Sequence, residues 1–479
     1  GSHKWDSTLK LPVKYEDPYP LSDGVFLVSR TVGKGERTGL YLLDVFGNEV
    51  LLHEEPELGC YDPMPLAPRS RPPVIPARRG YERPTGRFYV NNVYQGSHLN
   101  GVKRGEVKFL RVVASPEKRF WTHPSWGGQG VHCPAVNWHS FEVKRVLGTV
   151  PVEADGSAHF EVPADTYVYF QLLDENGMMV QSMRSGTVVQ AGETTGCVGC
   201  HEKRLEAPPP VAKVAPEAVT RPPSTLAGWY GAPRNFNYLA EVQPVFDRHC
   251  MRCHDFGKPA GKKLLLAGDR ELTFNASYVD LWRTKAVRCI GGGPAQVQQA
   301  RSWGSHASPL VQAIRKGHKG VKLSPEEFAR VVTWIDINGP YYPTYASAYP
   351  ANLAGRSPLD GTQVKRLTEL TKVPFAGLAS YSRKQRAKVS FDRPELSPCL
   401  AGLPDKTAPA YLEALGILQA GAKVLAGRPR GDMPGFLACP VDQGRERKYA
   451  ARQQEETRFR AAIVNGRKAY DPRPKATGE

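Results

Sequence analysis

The chain has 479 residues, with 64 Lys+Arg against 47 Asp+Glu and a formal net charge of +17. At 41% hydrophobic and 23% charged it is globular rather than disordered or fibrous, and its length implies two to four domains, since single cores rarely outgrow roughly 250–300 residues. No apolar run approaches the roughly 20 residues that span a bilayer, which argues against an integral membrane protein. The 46 glycines and 42 prolines imply many turns and little room for long helical bundles. Nine cysteines are too few for a disulfide scaffold, yet four of them fall in two tight pairs.

The sequence opens Gly1-Ser2-His3-Lys4 without an initiator Met or an apolar signal segment, as expected of a tag scar or of a mature or trimmed form. Val25–Val28, Leu40–Leu43 and Val50–Leu52 have strand composition, with a hairpin turn over Phe46–Glu49. They predict about one blade of a β-propeller, which packs on something else or belongs to a longer parent chain. A stiff linker from Pro63 to Pro76 closes this first segment, residues 1–79.

Residues 80–193 are again β-rich, with strands at Phe88–Val90, Val107–Val113 and Val168–Leu173 and turn signals at Asp155-Gly156-Ser157 and Glu175-Asn176-Gly177. A β-sandwich middle domain is the simplest architecture. A Pro/Ala linker over 206–227 is expected to wrap the surface. Beyond it the pattern turns helical: Leu239, Val242, Val245 and Phe246 mark one helix face, Tyr238–His249. Phe328, Val331, Val332 and Ile335 mark a second, Ser324–Asn338. Ser324 as N-cap, Pro325 at N1, Glu327 closing a capping box and Asn338-Gly339-Pro340 as a stop delimit the latter. Residues 194–345 form the region of the cysteine pairs. Residues 346–479 form a C-terminal extension with a helix over Ala408–Leu425 and a charged, exposed or wrapping tail. The fold class is thus multidomain β plus α: a propeller-blade-like segment, a β-sandwich and a helical domain that carries the second cysteine pair.

The paired cysteines carry the chemistry. Cys197-Val198-Gly199-Cys200-His201 and Cys250-Met251-Arg252-Cys253-His254 are both C-x-x-C-H, the spacing that attaches haem c through two thioethers and offers the adjacent His to the iron. A CxxC redox pair and one zinc site built from both pairs are the alternatives, but a 49-residue gap is long for a zinc ribbon. Two covalently bound haems imply maturation outside the cytoplasm, hence a periplasmic or otherwise extracytoplasmic location in a bacterium.

The second motif lies between the two helices, as in class I cytochromes c, where the sixth ligand comes from the loop before the last helix. That loop, Lys316–Leu323, holds His318, so His254/His318 is the expected axial pair. His306 is the runner-up or a packing residue, and His249 is expected to face solvent. The only Met after the motif is Met433, far away. The first motif has no helix pair, so its haem must be covered by the β-domain or distant segments. Its sixth position is either open, which would make this the catalytic haem, or filled by Met178, Met179, Met183, His132 or His139.

Gly148–Phe160, then Gln181–Ser185, then Cys197–His201, together with Cys60–Leu66, Arg69–Pro76 and His306…His318…Trp334-Ile335-Asp336, resemble the hydrazine synthase α subunit and its relatives. The resemblance implies a propeller, here reduced to its last blade, then a middle β-domain and a dihaem region. It implies a haem enzyme joining nitric oxide and ammonium, with one catalytic and one electron-transfer haem, working as a subunit of a complex. In that family the catalytic motif's histidine turns to zinc beside a cysteine, and a tyrosine four residues on binds the iron. Carried over, these are His201 and Cys60, but the tyrosine position is Leu205, which cannot ligate. That departure favours His201 as an ordinary iron ligand, or a relative with another substrate.

Cys60 therefore reads as a zinc ligand, a disulfide partner (Cys133 is conceivable) or a buried thiol. Cys289 has no obvious mate, and Cys399–Cys439 is an expected bridge. No nucleic-acid motif accompanies the basic charge. Haem propionates would draw on it, and the rest would steer an acidic redox partner or simply solvate the surface. Three functions remain: a dihaem oxidoreductase on a small nitrogen or oxygen substrate, a pure electron-transfer subunit, and a haem-based sensor or binding module.

Overall fold

The computed structural model describes residues 11–32, 37–68, 70, 79–80, 82–117, 143–201, 215–290, 298–352, 356–375 and 386–467. It divides into two compact units, residues 1–77 and 78–479. The first is a four-stranded antiparallel meander of β1 (Tyr15–Ser22), β2 (Val25–Thr31), β3 (Thr38–Asp44) and β4 (Glu49–His53). Its β3–β4 turn is built by Asp44, whose carboxylate accepts the Phe46 and Asn48 N–H groups at 2.9 Å, with Gly47 at φ 90°.

The second unit begins with two stacked sheets. One has the order β11 (Thr194–Cys197), β5 (Thr85–Val90), β8 (Ala158–Pro163). The other has β10 (Met179–Ser182), β9 (Val168–Leu173), β6 (Phe109–Ala114), β7 (Arg145–Pro151). Phe88 and Phe160 from the first meet Phe170 from the second at 5.2 and 5.3 Å between ring centres, edge to face. β5 and β8 alternate buried and half-buried residues, as a sheet with one wet face should. β9 and β10 are buried at every position because the helical part covers their outer face. Of the linker expected over 206–227, residues 215–227 are described. A 3-10 turn at Glu217–Thr220 leads to single bridges of Ser224 to Phe160, Ala227 to Thr149 and Asn235 to Arg145.

The helices are α1 (Tyr238–Glu241), α2 (Gln243–His249), α3 (Pro259–Lys263), α4 (Ala276–Arg283), α5 (Pro309–Arg315), α6 (Pro325–Asp336), α7 (Gly361–Thr371), α8 (Pro409–Gly427) and α9 (Pro440–Val464). The single helix expected over Tyr238–His249 is broken at Val242 (φ −110°) into α1 and α2. Pro244 has no N–H to return to Ala240, so the helical ladder is interrupted there. α6 carries both halves of its capping box and stops at Asn338 and Gly339, both at positive φ. Tyr238, Val242, Val245 and Phe246 pack with Tyr278, Trp334 and Ile335 in one core.

Two helices are long, and the first, α8, covers the helix expected over Ala408–Leu425. α8 packs on α7 and Phe391. α9 is 25 residues long and exposed along nearly its whole length. It is helical because its sequence combines Ala, Gln, Glu and Arg with i,i+3 and i,i+4 ion pairs, Glu455–Arg458 and Glu456–Arg460. The charged tail is therefore a solvated helix over 440–464. The Cys399–Cys439 bridge is absent: both are buried free thiols. Cys399 packs in the α7–α8 core, where burial pushes its thiol up to about 12, and Cys439 caps α9.

Candidate functional site

The first C-x-x-C-H belongs to the sandwich. β11 runs parallel to β5, pairing Cys197 with Val90, and the chain then turns through Val198–His201. Residues 91–97 clamp this turn by backbone hydrogen bonds. Asn91 N–H donates to Cys197 O at 2.9 Å, Cys200 N–H to Gln95 O at 2.7 Å and Ser97 N–H to His201 O at 3.1 Å. Gly96, at φ 139°, is required here, because a Cβ would overlap the Cys200 carbonyl oxygen.

Cys197, Cys200 and His201 open on a cavity of about 290 Å³ walled by Val90, Val93, Leu110, Phe170 and Leu172 on one side and by Gln181, Met183 and the buried Arg184 on the other. Burial pushes the Cys200 thiol up to about 12. Among the described residues no group of three or more His, Cys, Asp or Glu is gathered to hold a metal ion. An apolar pocket with one guanidinium, two thiols and an imidazole does suit a covalently held macrocycle with carboxylate arms.

Of the sixth-ligand candidates, Met183 lines the cavity, and its sulfur already accepts the Phe170 N–H at 3.4 Å. Met178 lies in the helical core, and Met179 packs with Leu173 and Trp303. His132, His139, Cys133 and Leu205 lie outside the described residues. Cys60, in the first unit, is a half-buried free thiol whose backbone pairs with Thr38.

The second motif follows α2. Cys250 packs against the helical core, which pushes its thiol up to about 11, while Cys253 is exposed. The His254 Nδ1 donates to Leu264 O at 2.8 Å, which makes Nε2 the ring nitrogen able to bind a metal ion. His318 lies on an exposed 3-10 turn, His318–Gly320, with its ring centre 6.1 Å from that of His254. Two imidazoles that both bind one metal ion through bonds of ~2.0–2.1 Å have ring centres roughly 6 Å apart, so the spacing of this pair is compatible with holding one ion between them. Arg393, from the C-terminal extension, grips Asp255, next to His254, at 2.7 and 2.9 Å, and also Asp269. Its guanidinium holds the Asp255 carboxyl below the usual carboxylate range.

Two other histidines find different partners. His306 pairs with Asp174 at 3.0 Å. His249 does not face solvent: it is half-buried, 3.0 Å from Glu327 of the α6 capping box. Sequence reading missed Ser97 and His98 beside the first motif. Nothing in their spacing marks them, since β5–β11 pairing alone brings residues 91–98 to the cysteines.

Fold and sites together define a β-sandwich fused to a helical part, each carrying one C-x-x-C-H motif. The hydrazine synthase alpha subunit middle domain model matches residues 105–202, ending just past His201. Hydrazine synthase subunit alpha of Kuenenia stuttgartiensis is 21% identical over 456 residues, covering 69% of this chain and 55% of that protein. The solved structure of Kuenenia stuttgartiensis hydrazine synthase superposes with a TM-score of 0.50 at 17% identity, again over 69% of this chain and 55% of that one, a likeness of fold alone. The chain is a distant relative of the hydrazine synthase α subunit and spans about half its length.

Proposed function

We propose that the chain is a periplasmic dihaem c-type cytochrome and a haem oxidoreductase. One haem is attached at Cys197/Cys200 and is of catalytic type. The other, at Cys250/Cys253, is held by His254 and His318 and transfers electrons. The observation that carries this reading is the contrast between the two motifs. His254 faces a second imidazole at 6.1 Å, whereas the cavity at Cys197/Cys200 has His201 as its only imidazole among the described lining residues. An iron with two imidazoles is saturated and suited to electron relay, while an open position admits a small ligand. The relationship to hydrazine synthase supports a small nitrogen compound as substrate and membership of a multi-subunit complex. The blade-like first unit and the class I-like helical package belong to the same proposal, and the net charge of +17 suits an acidic redox partner.

A second reading, pure electron transfer, is favoured by Met183 in the cavity wall, where a thioether could fill the sixth position. Electron paramagnetic resonance of the oxidised protein separates the two. A high-spin signal for one haem supports catalysis, and two purely low-spin haems refute it.

A further inference from the structure

We propose that Ser97 and His98 are positioning residues for His201, fixing its ring so that Nε2 is the nitrogen offered to the iron of the first motif. The inference rests on the haem reading above. His201 Nδ1 lies 3.1 Å from the Ser97 hydroxyl oxygen, and His98 Nδ1 lies 2.7 Å from the same atom. The rings stand edge to face with centres 6.0 Å apart.

That spacing resembles the 6.1 Å of His254 and His318, but the arrangement differs. Two imidazoles clamping one iron would turn their Nδ1 atoms away from each other. Here both Nδ1 atoms converge on one oxygen, and His98 does not line the cavity. His98 is therefore no sixth ligand; it stands behind His201.

A serine hydroxyl has one proton and two lone pairs. With the Ser97 hydroxyl proton on the His201 carbonyl, 3.3 Å away, both lone pairs are left to accept Nδ1–H, one from each imidazole. In that state His201 carries its proton on Nδ1, and Nε2 is bare. An N–H donated on the far side of a ligating imidazole makes the ligand more basic. A more basic ligand favours ferric iron and lowers the potential.

The backbone supports a built device. His98 and His201 both adopt left-handed conformations, φ 68° and 61°, which non-glycine residues hold only when their surroundings dictate it. Gln181 Nε2 and Ala300 N–H pin the His98 carbonyl at 3.0 and 2.9 Å, and Ser97 N–H holds that of His201.

The test is a spectroelectrochemical titration of the full haem-loaded chain, with haem content measured in parallel. Ser97→Ala should shift the midpoint potential of one haem to more positive values and leave the other, identified by His318→Ala, unmoved. Ser97→Thr, which keeps the hydroxyl, should restore the parent value. His98→Asn, which tolerates the left-handed backbone, should give a smaller shift in the same direction and serves if Ser97→Ala fails to fold. Two haems with potentials unchanged in Ser97→Ala or His98→Asn would overturn the inference. Absence of haem at Cys197/Cys200 in the parent would instead sink the haem reading on which it rests.

Discussion

Asp336, the last residue of α6, is fully buried where the helical part meets the sandwich. Its carboxylate accepts Met179 N–H at 3.0 Å, Ser305 N–H at 2.6 Å and the Ser305 hydroxyl at 3.1 Å, with the buried Arg111 Nη1 at 3.8 Å. Burial outweighs these partners and pushes its pKa up from 3.8 to about 6. Because the folded value lies above the unfolded one, the folded state binds the proton more tightly. Stability from this group is complete at low pH and is lost as pH rises through about 6. Two units at 1.36 kcal/mol each make the loss about 3 kcal/mol. Asp336→Asn cannot ionise and escapes that loss. Urea unfolding of parent and variant at pH 4 and pH 7.5 should therefore show their stability difference moving by about 3 kcal/mol in favour of Asn at the higher pH. A difference that stays constant, or moves towards Asp, would mean that the ion pair with Arg111 outweighs desolvation and would refute the reasoning.

Glu271 is a second case of the same sign. It is fully buried, accepts the Lys388 and Val389 N–H groups, and burial raises its pKa to about 7. Glu271→Gln should gain about 3 kcal/mol relative to the parent between pH 4.5 and pH 8 in the same unfolding assay, and no change across that window counts against it. His318→Ala should turn the second haem from low to high spin by electron paramagnetic resonance, and an unaltered spectrum would show that another residue holds the iron. Gly96→Ala drives a methyl group into the Cys200 carbonyl, so haemochrome assay should read one haem per chain instead of two; two would refute the clamp. Ser324→Ala should cost about 1 kcal/mol in thermal or urea unfolding by removing the α6 cap, and a loss indistinguishable from zero would show the box contributes nothing.

What was legible in the sequence was local. The α6 capping box, strands β2 to β4 of the first unit, α8 and both C-x-x-C-H motifs depend on residues within a few positions of one another. Where local signals competed, the reading failed. The apolar spacing of Leu239, Val242, Val245 and Phe246 continues through Pro244, but the backbone ladder does not. The polar composition of 440–464 concealed a helix with almost no buried face, which rests on propensity and ion pairs rather than on packing.

The first motif failed differently. Its neighbourhood is made by a parallel pairing of strands more than 100 residues apart, Thr85–Val90 with Thr194–Cys197, and such pairing leaves no periodic trace. Val90 and Cys197 share a register, so the turn after β5 must fall against the turn after β11. Gly96 is the residue that lets the two backbones touch, and the next two positions, Ser97 and His98, are thereby delivered to His201. The asymmetry between the two motifs thus follows from topology. A C-x-x-C-H after a helix is enclosed by helices close in sequence, whereas one that ends an edge strand takes its surroundings from whatever the neighbouring strand carries.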